Sequence, residues 1–318
     1  MIINNVKVMN PLEISYILRI IFAFLLESDR DSIFNTCRIF RKNYLWVNPH
    51  KSLINCMIHK NHKLLNEICD CVGGYIKFSN ELLCRSCMHD VLKVTNLCID
   101  NGVNPSCNGN EAIRNASYYG NLSVVERLLM DPRIDSSYNL NESISLASKN
   151  GHLLVVERLL MDPRVDPSAR DNNAIRCATE NNHLSVVERL LMDKRVNPSA
   201  FWNHAIHLAS QDGHLSIVNR LLMDPRVDPS DYSNYAIKVA SENGHLDVVE
   251  RLLQDPRVDY NILYPQKANN TIRMALNAGK LEIVKRLINH PGICPMIRVH
   301  CKTILLANSI KEYLTFFP

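Results

Sequence analysis

The sequence has no long apolar run, no concentration of charge of one sign, and none of the short motifs that mark catalytic sites. Its most apolar stretch near the N-terminus, Ile14 to Leu26, is well short of the ~20 residues that a membrane-spanning helix needs, and Arg19 stands in its middle. Pro11 and Glu13 precede that stretch where a secretory signal would carry basic residues, and no small-residue cleavage site follows. It therefore reads as neither a span nor a leader. The 36 Lys and Arg against 32 Asp and Glu leave a formal net charge of +4, too thinly spread for the dense basic field that phosphate-backbone binding requires. Nucleic acid is thus unsupported as a partner. A Gly-rich phosphate loop, a nucleophile elbow and a recurrent carboxylate pair are all missing, so the expectation is a protein that is not an enzyme, with no cofactor and no small-molecule substrate. The 11 cysteines are odd in number, and Cys56, Cys98 and Cys177 lie within apolar helical patterns, as reduced thiols in a core do. That usage points to an intracellular protein, cytoplasmic or nuclear.

What the sequence does have is a 46% apolar content over 318 residues, enough for a large core, and a strict period. Gly120, Gly151, Asn182, Gly213 and Gly244 each stand 31 residues after the last and open near-copies of one segment. The fullest copy is GHLLVVERLLMDPRVDPSARDNNAIRCATEN from Gly151. Self-similarity at a fixed period signals supersecondary units that stack, because a single unit cannot bury its own apolar face.

The unit reads as two helices. Asn110, Asn141, Asn172, Asn203 and Asn234 recur where a short side-chain oxygen could cap the free amides of a first helix. The pattern x-A-I-x-x-A follows, as in Ala174, Ile175 and Ala178, with small residues that let a neighbouring helix approach. Gly120, Gly151, Gly213, Gly244 and Gly279 then suit the left-handed conformation that stops a helix, and Asn182 is the best non-glycine substitute. The second helix carries Leu153, Val156, Leu159 and Leu160 on one face, with Glu157 and Arg158 toward water. Pro163, Pro225 and Pro256 end it, and Val-Asp-Pro-Ser follows as a short extended connector.

The pattern N-x-A-I-x-x-A-x-x-x-G-H-L-x-V-V-x-x-L-L resembles the ankyrin repeat, over roughly residues 80 to 310. Asn-x-Ala-Ile stands where that family usually has Thr-Pro-Leu-His, and the connector is shorter than in its common form. The variant is similar to the large ankyrin families encoded by giant DNA viruses and amoebae. The resemblance implies an all-α solenoid of stacked helix-turn-helix units that works by protein–protein interaction.

The organisation expected is a helical N-terminal region over 1–50, degenerate repeats over 51–109, regular repeats over 110–300 with one 35-residue step before Asn269, and a capping half-repeat over 301–318. Within residues 1–50, Pro11 to Ile14, Leu18, Ile21, Leu25, Cys37, Arg38 and Phe40 resemble a loose F-box, the module that docks onto Skp1 in ubiquitin ligases; a plain helical cap is the alternative reading. A third reading makes Cys69, Cys71, Cys84, Cys87 and His89 a tetrahedral zinc set, in a zinc-supported or nucleic-acid-binding module. Against it, Cys84 and Cys87 fall inside a first helix that already gives them a packing role. His152, His183, His214 and His245 sit one repeat apart, too far to share an ion when packed helices are 8–10 Å apart, and read as structural.

Partner specificity should reside where the framework varies, next to the repeated Asn. Tyr138, Arg170, Phe201, Trp202, His204, Tyr232 and Tyr235 are the candidate contact residues, since large aromatics dominate interfaces. Lys149, Arg176, Glu180 and Lys238 would form a rim of mixed sign, which suits a protein partner, though not one the sequence names.

Overall fold

The computed structural model describes residues 49–59, 78–134, 138–258 and 265–291, with the single positions 299 and 303. The F-box-like segment, Cys69, Cys71 and the end of the final repeat lie outside these residues. Among the described residues there are helices and turns and no strand. No helix among them is long and apolar enough to cross a membrane.

The chain divides into two compact units between Pro105 and Ser106. The first contains α1 (Pro49–Ile58), α2 (Asn80–Met88) and α3 (Leu92–Asp100). Ser79 caps α2 through its hydroxyl, which accepts the Leu82 amide at 3.2 Å. Packing of α2 on α3 buries Leu82, Leu83, Cys87, Val94 and Cys98. Inside that pair, Ser86 and Thr95 satisfy each other at 2.9 Å, so their burial leaves no hydroxyl unmatched.

Among the described residues the second unit has six helix pairs: α4 (Cys107–Tyr119) with α5 (Leu122–Leu129), α6 (Tyr138–Lys149) with α7 (Leu153–Leu160), α8 (Ala169–Glu180) with α9 (Leu184–Leu191), α10 (Ala200–Gln211) with α11 (Leu215–Leu222), α12 (Asp231–Asn243) with α13 (Leu246–Leu253), and α14 (Pro265–Asn277) with α15 (Leu281–Ile288). First helices pack on first helices and second on second, so the unit has two layers with the core between them. In α7 the buried stripe is Val155, Val156, Leu159 and Leu160, and the same four positions are buried in every second helix. Leu153, expected on that stripe, is only half-buried. Ala174, Ile175 and Ala178 fill the corresponding place in α8. Each fully buried Leu or Ile contributes roughly 1.5–3 kcal/mol.

Three repeated side chains tie one pair to the next. The first is histidine: Nε2 of His152, His183, His214 and His245 meets the carbonyls of Tyr118, Lys149, Glu180 and Gln211 at 2.9, 2.9, 3.2 and 2.9 Å. A carbonyl only accepts, so Nε2 carries the proton. The same imidazole explains the glycines, for a Cβ on Gly120, Gly151 or Gly213 would lie 2.4–2.5 Å from Nδ1 of the next histidine. All three also have φ near +75°, so they are needed both for conformation and for room. Asn182 takes φ +61° at the equivalent place, and it is there that the histidine bond stretches to 3.2 Å.

The second tie is the arginine of Asp-Pro-Arg. Arg164 grips Asp162 through Nε and Nη2 at 2.9 and 2.7 Å, then reaches back to the carbonyls of Ile134 and Leu129 in the preceding repeat at 3.1 and 2.8 Å. Arg195, Arg226 and Arg257 make the same bidentate pair and reach Val165, Val196 and Val227. Leu129, Leu160 and Leu222 close second helices, so this guanidinium satisfies carbonyls that a helix end leaves open. The hydrogen bonds from the arginine side chain, aided by one from the same arginine's backbone N–H and by the nearby charge, outweigh burial and hold Asp131, Asp162, Asp193, Asp224 and Asp255 below the ordinary carboxylate range. Proline is dispensable for this turn: Lys194 replaces it and α9 still ends at Leu191.

The third tie corrects the capping role expected of the repeated asparagine. Oδ1 of Asn141, Asn172 and Asn203 accepts the backbone N–H of Asp166, Asn197 and Asp228, 25 residues on, at 2.7–2.8 Å. The side chain fastens the next connector and does not cap its own helix. That connector is also no extended strand, since Asp166, Asn197 and Asp228 each fold it by accepting the amide and hydroxyl of the serine two residues later. Glu157 and Arg158 are half-exposed rather than free in solvent; Glu157 approaches Arg189 of the next repeat at 3.9 Å, a surface pair of small energetic weight.

Candidate functional site

Near the start of four of the first helices the backbone makes one left-handed turn. Asn108-Gly109-Asn110, Arg170-Asp171-Asn172, Phe201-Trp202-Asn203 and Tyr232-Ser233-Asn234 all have φ between 50° and 66° with ψ of 35–52°. Each turn is closed by the asparagine N–H donating to the serine carbonyl four residues back, at 2.7–3.1 Å. For an L-residue this conformation costs roughly 1–2 kcal/mol, and three consecutive non-glycine residues in it are a strained arrangement. Arg114 and Arg176 brace two of the turns, donating through Nη2 to the carbonyls of Asn108 and Arg170 at 3.3 and 3.1 Å.

These turns hold the candidate contact residues. Trp202, Tyr232 and Phe201 are 65%, 67% and 48% exposed, so the strained backbone displays large rings to solvent and does not bury them. Phe201 lies 5.1 Å from Trp202 and 5.3 Å from His204, ring to ring, and the Arg176 guanidinium stands over it at 5.3 Å. Tyr235 bridges Tyr232 and His207 at 5.5 and 5.0 Å. Two repeats therefore contribute aromatic groups centred on Phe201 and on Tyr235, with His204 and His207 one turn apart on α10. Arg170 is exposed, and through its carbonyl it joins Arg176 to the same place. Tyr138 lies in α6, but its side chain is outside the described set.

Sequence reasoning passed over His207. Its side chain is only 5% exposed and Nε2 has no hydrogen-bond partner. Burial pushes its pKa down to about 4, with nearby His204 acting in the same direction against Asp231. His204 is also lowered, first by burial and then by Arg176, against Glu180, and its Nδ1 is likewise unpartnered. Both imidazoles are thus neutral at pH 7. A polar residue amid the buried positions of a first helix, where the other repeats have Arg114, Ser145, Arg176 and Lys238, was the available signal.

Of the candidate zinc set, Cys69 and Cys71 lie outside the described residues, and Cys84, Cys87 and His89 lie within them. Cys84 and Cys87 are buried in α2, and burial, reinforced by neighbouring Cys84, raises the Cys87 thiol above its ordinary range. It is a thiol of the first unit's core. No group of three or more potential metal ligands occurs among the described residues.

The geometry is that of a stack of two-helix units in 31-residue steps. A family model for ankyrin repeats, in sets of three copies, matches residues 144–232 and 176–263. These are ankyrin repeats. No curated protein matches the chain. Ankyrin repeats indicate a protein–protein interaction module, and the left-handed turns are where this ankyrin stack varies most from repeat to repeat. Met130, Met161, Met192 and Met223 are also exposed, at 73–74%, and recur at one position after four of the second helices.

Proposed function

We propose that the chain is a non-enzymatic scaffold that grips a protein partner on the first-helix side of its ankyrin stack, with Phe201, Trp202 and Tyr232 as the principal anchors and Arg170, His204 and Tyr235 around them. One observation carries this reading: bulky aromatic residues occupy left-handed backbone, where they cost folding energy, and about half or more of each ring residue stays exposed, so that little is buried in return in the free protein. A cost of that kind is recovered when rings enter a partner's pockets. The F-box-like adaptor reading concerns residues 1–50 and supplies a second arm for the same experiment. Affinity purification of the full chain from eukaryotic cells, with quantitative mass spectrometry, should return specific prey that is lost with Trp202→Ala and with Tyr232→Ala. Prey retained at wild-type levels by both variants contradicts the proposed face. Recovery of Skp1 with the full chain, lost on deleting residues 1–50, would establish the adaptor arm.

A further inference from the structure

Arg114 and Arg176 occupy the same place in α4 and α8, and each folds back onto the carbonyl that opens its left-handed turn. Their outward contacts differ. The Arg114 guanidinium meets the Glu142 carboxylate at 3.2 Å, from a residue 28 positions later on the neighbouring first helix. The residue 28 positions after Arg176 is His204. Arg176 has no ion pair among the described residues; its further bond goes to the amide oxygen of Asn173 at 3.3 Å.

The repeat thus keeps the arginine and omits its carboxylate. Two buried imidazole nitrogens beside the omission have no partner, His204 Nδ1 and His207 Nε2; Arg176 Nε is unpartnered too, as Arg114 Nε is beside Glu142. The two carboxylates in electrostatic reach do not fill it. Asp231 is engaged by the Asn203 amide at 2.8 Å and the Tyr232 N–H at 2.6 Å, and Glu180 is exposed and makes no ion pair with Arg176. The exposed rings of Phe201 and Trp202 border the same place.

We infer that the partner supplies the missing carboxylate: the segment bound here carries an Asp or Glu that pairs with Arg176 beside His204, next to a large apolar side chain that packs on Phe201 and Trp202. A carboxylate accepts from guanidinium and imidazole donors together, and a planar guanidinium already stacked on a ring is pre-organised for it. The inference rests on the binding face proposed above and adds the chemistry of what that face takes.

The test is selection of a random dodecapeptide library on the immobilised full chain, followed by titration of the enriched peptides against wild type, Arg176→Gln, His204→Glu and Trp202→Ala. Thermal melts confirm that each variant is folded. Enriched peptides should share an acidic residue beside Trp, Phe or Leu. Arg176→Gln should weaken them at least about tenfold, the scale of one charge-assisted contact. His204→Glu should do the same by supplying the carboxylate from within, as Glu142 does for Arg114. Changing the peptide's acid to its amide should cost a similar factor and abolish the difference between wild type and Arg176→Gln. Peptides that need Trp202 but bind Arg176→Gln as tightly as wild type overturn this inference and leave the aromatic face standing. Peptides indifferent to Trp202→Ala, or a selection that enriches nothing beyond what the Trp202→Ala protein enriches, overturn both.

Discussion

The connector side of the second unit and the turn side of its first helices are built from the same 31-residue period, yet they use backbone and side chains in opposite ways. On the connector side, Asp162 and Arg164, Asp193 and Arg195, Asp224 and Arg226, and Asp255 and Arg257 repeat one geometry almost without change, and every polar group finds a partner in its own or the preceding repeat. On the turn side, Arg170-Asp171, Phe201-Trp202 and Tyr232-Ser233 share a strained conformation but no chemistry; their rings face solvent, while nitrogens of Arg176, His204 and His207 beside them are buried without partners. Where a position is occupied by intramolecular contacts, repetition keeps its identity. Where intramolecular contacts are incomplete, its identity changes from repeat to repeat.

The sharpest way to break this contrast is at the arginine staple. Arg164→Ala strips the nearly buried Asp162 of its counter-charge and leaves the Leu129 and Ile134 carbonyls short of a donor. It should destabilise the protein by about 2–4 kcal/mol in urea unfolding, and Arg164→Lys should recover little, because an ammonium cannot make the bidentate pair. The staple also makes acid destabilising. All five aspartates titrate lower in the folded chain than unfolded, so their contribution is fully present above the unfolded value of about 4 and is lost as pH falls through the folded values. The unfolding midpoint should drop steeply below about pH 4, and Asp162→Asn should flatten that acid limb. A smaller loss, about 1 kcal/mol, is expected of His183→Ala, which removes a single bond to the Lys149 carbonyl. The reverse effect should come from Asn182→Gly. Asparagine there holds φ +61° against the imidazole of the next repeat, and glycine should gain about 0.5–1 kcal/mol by removing the Cβ.

Much of the fold was legible because burial and helix termination are local, periodic demands. The buried Val-Val and Leu-Leu positions, the Ala-Ile-x-x-Ala face and the left-handed glycines follow from residue type and spacing alone. The contacts between repeats were less legible. The repeated asparagine fits a helix cap equally well by type, and only the three-dimensional stack shows its oxygen meeting an amide 25 residues away. Arg195 did carry a readable signal: Asp and Arg persist on either side of Lys194 after the proline is gone, which marks the pair and not the proline as the working element. Of the candidate face, the aromatic residues could be picked out because they vary. The left-handed turns could not, since Phe-Trp-Asn and Tyr-Ser-Asn share only the asparagine with Asn-Gly-Asn, and backbone of that hand is ordinarily signalled by glycine. Nor could the lack of a carboxylate opposite Arg176, which depends on two helices lying side by side.

If the aromatic turns serve binding at the expense of folding, Trp202→Gly tests it most directly. Glycine tolerates φ +55° without strain, so the variant should keep or raise its unfolding free energy, by up to about 1 kcal/mol, while losing the prey or peptides that wild type retains. A variant that unfolds more readily than wild type, or that binds as well, would show instead that Trp202 packs for the benefit of the stack and that the partner is held elsewhere.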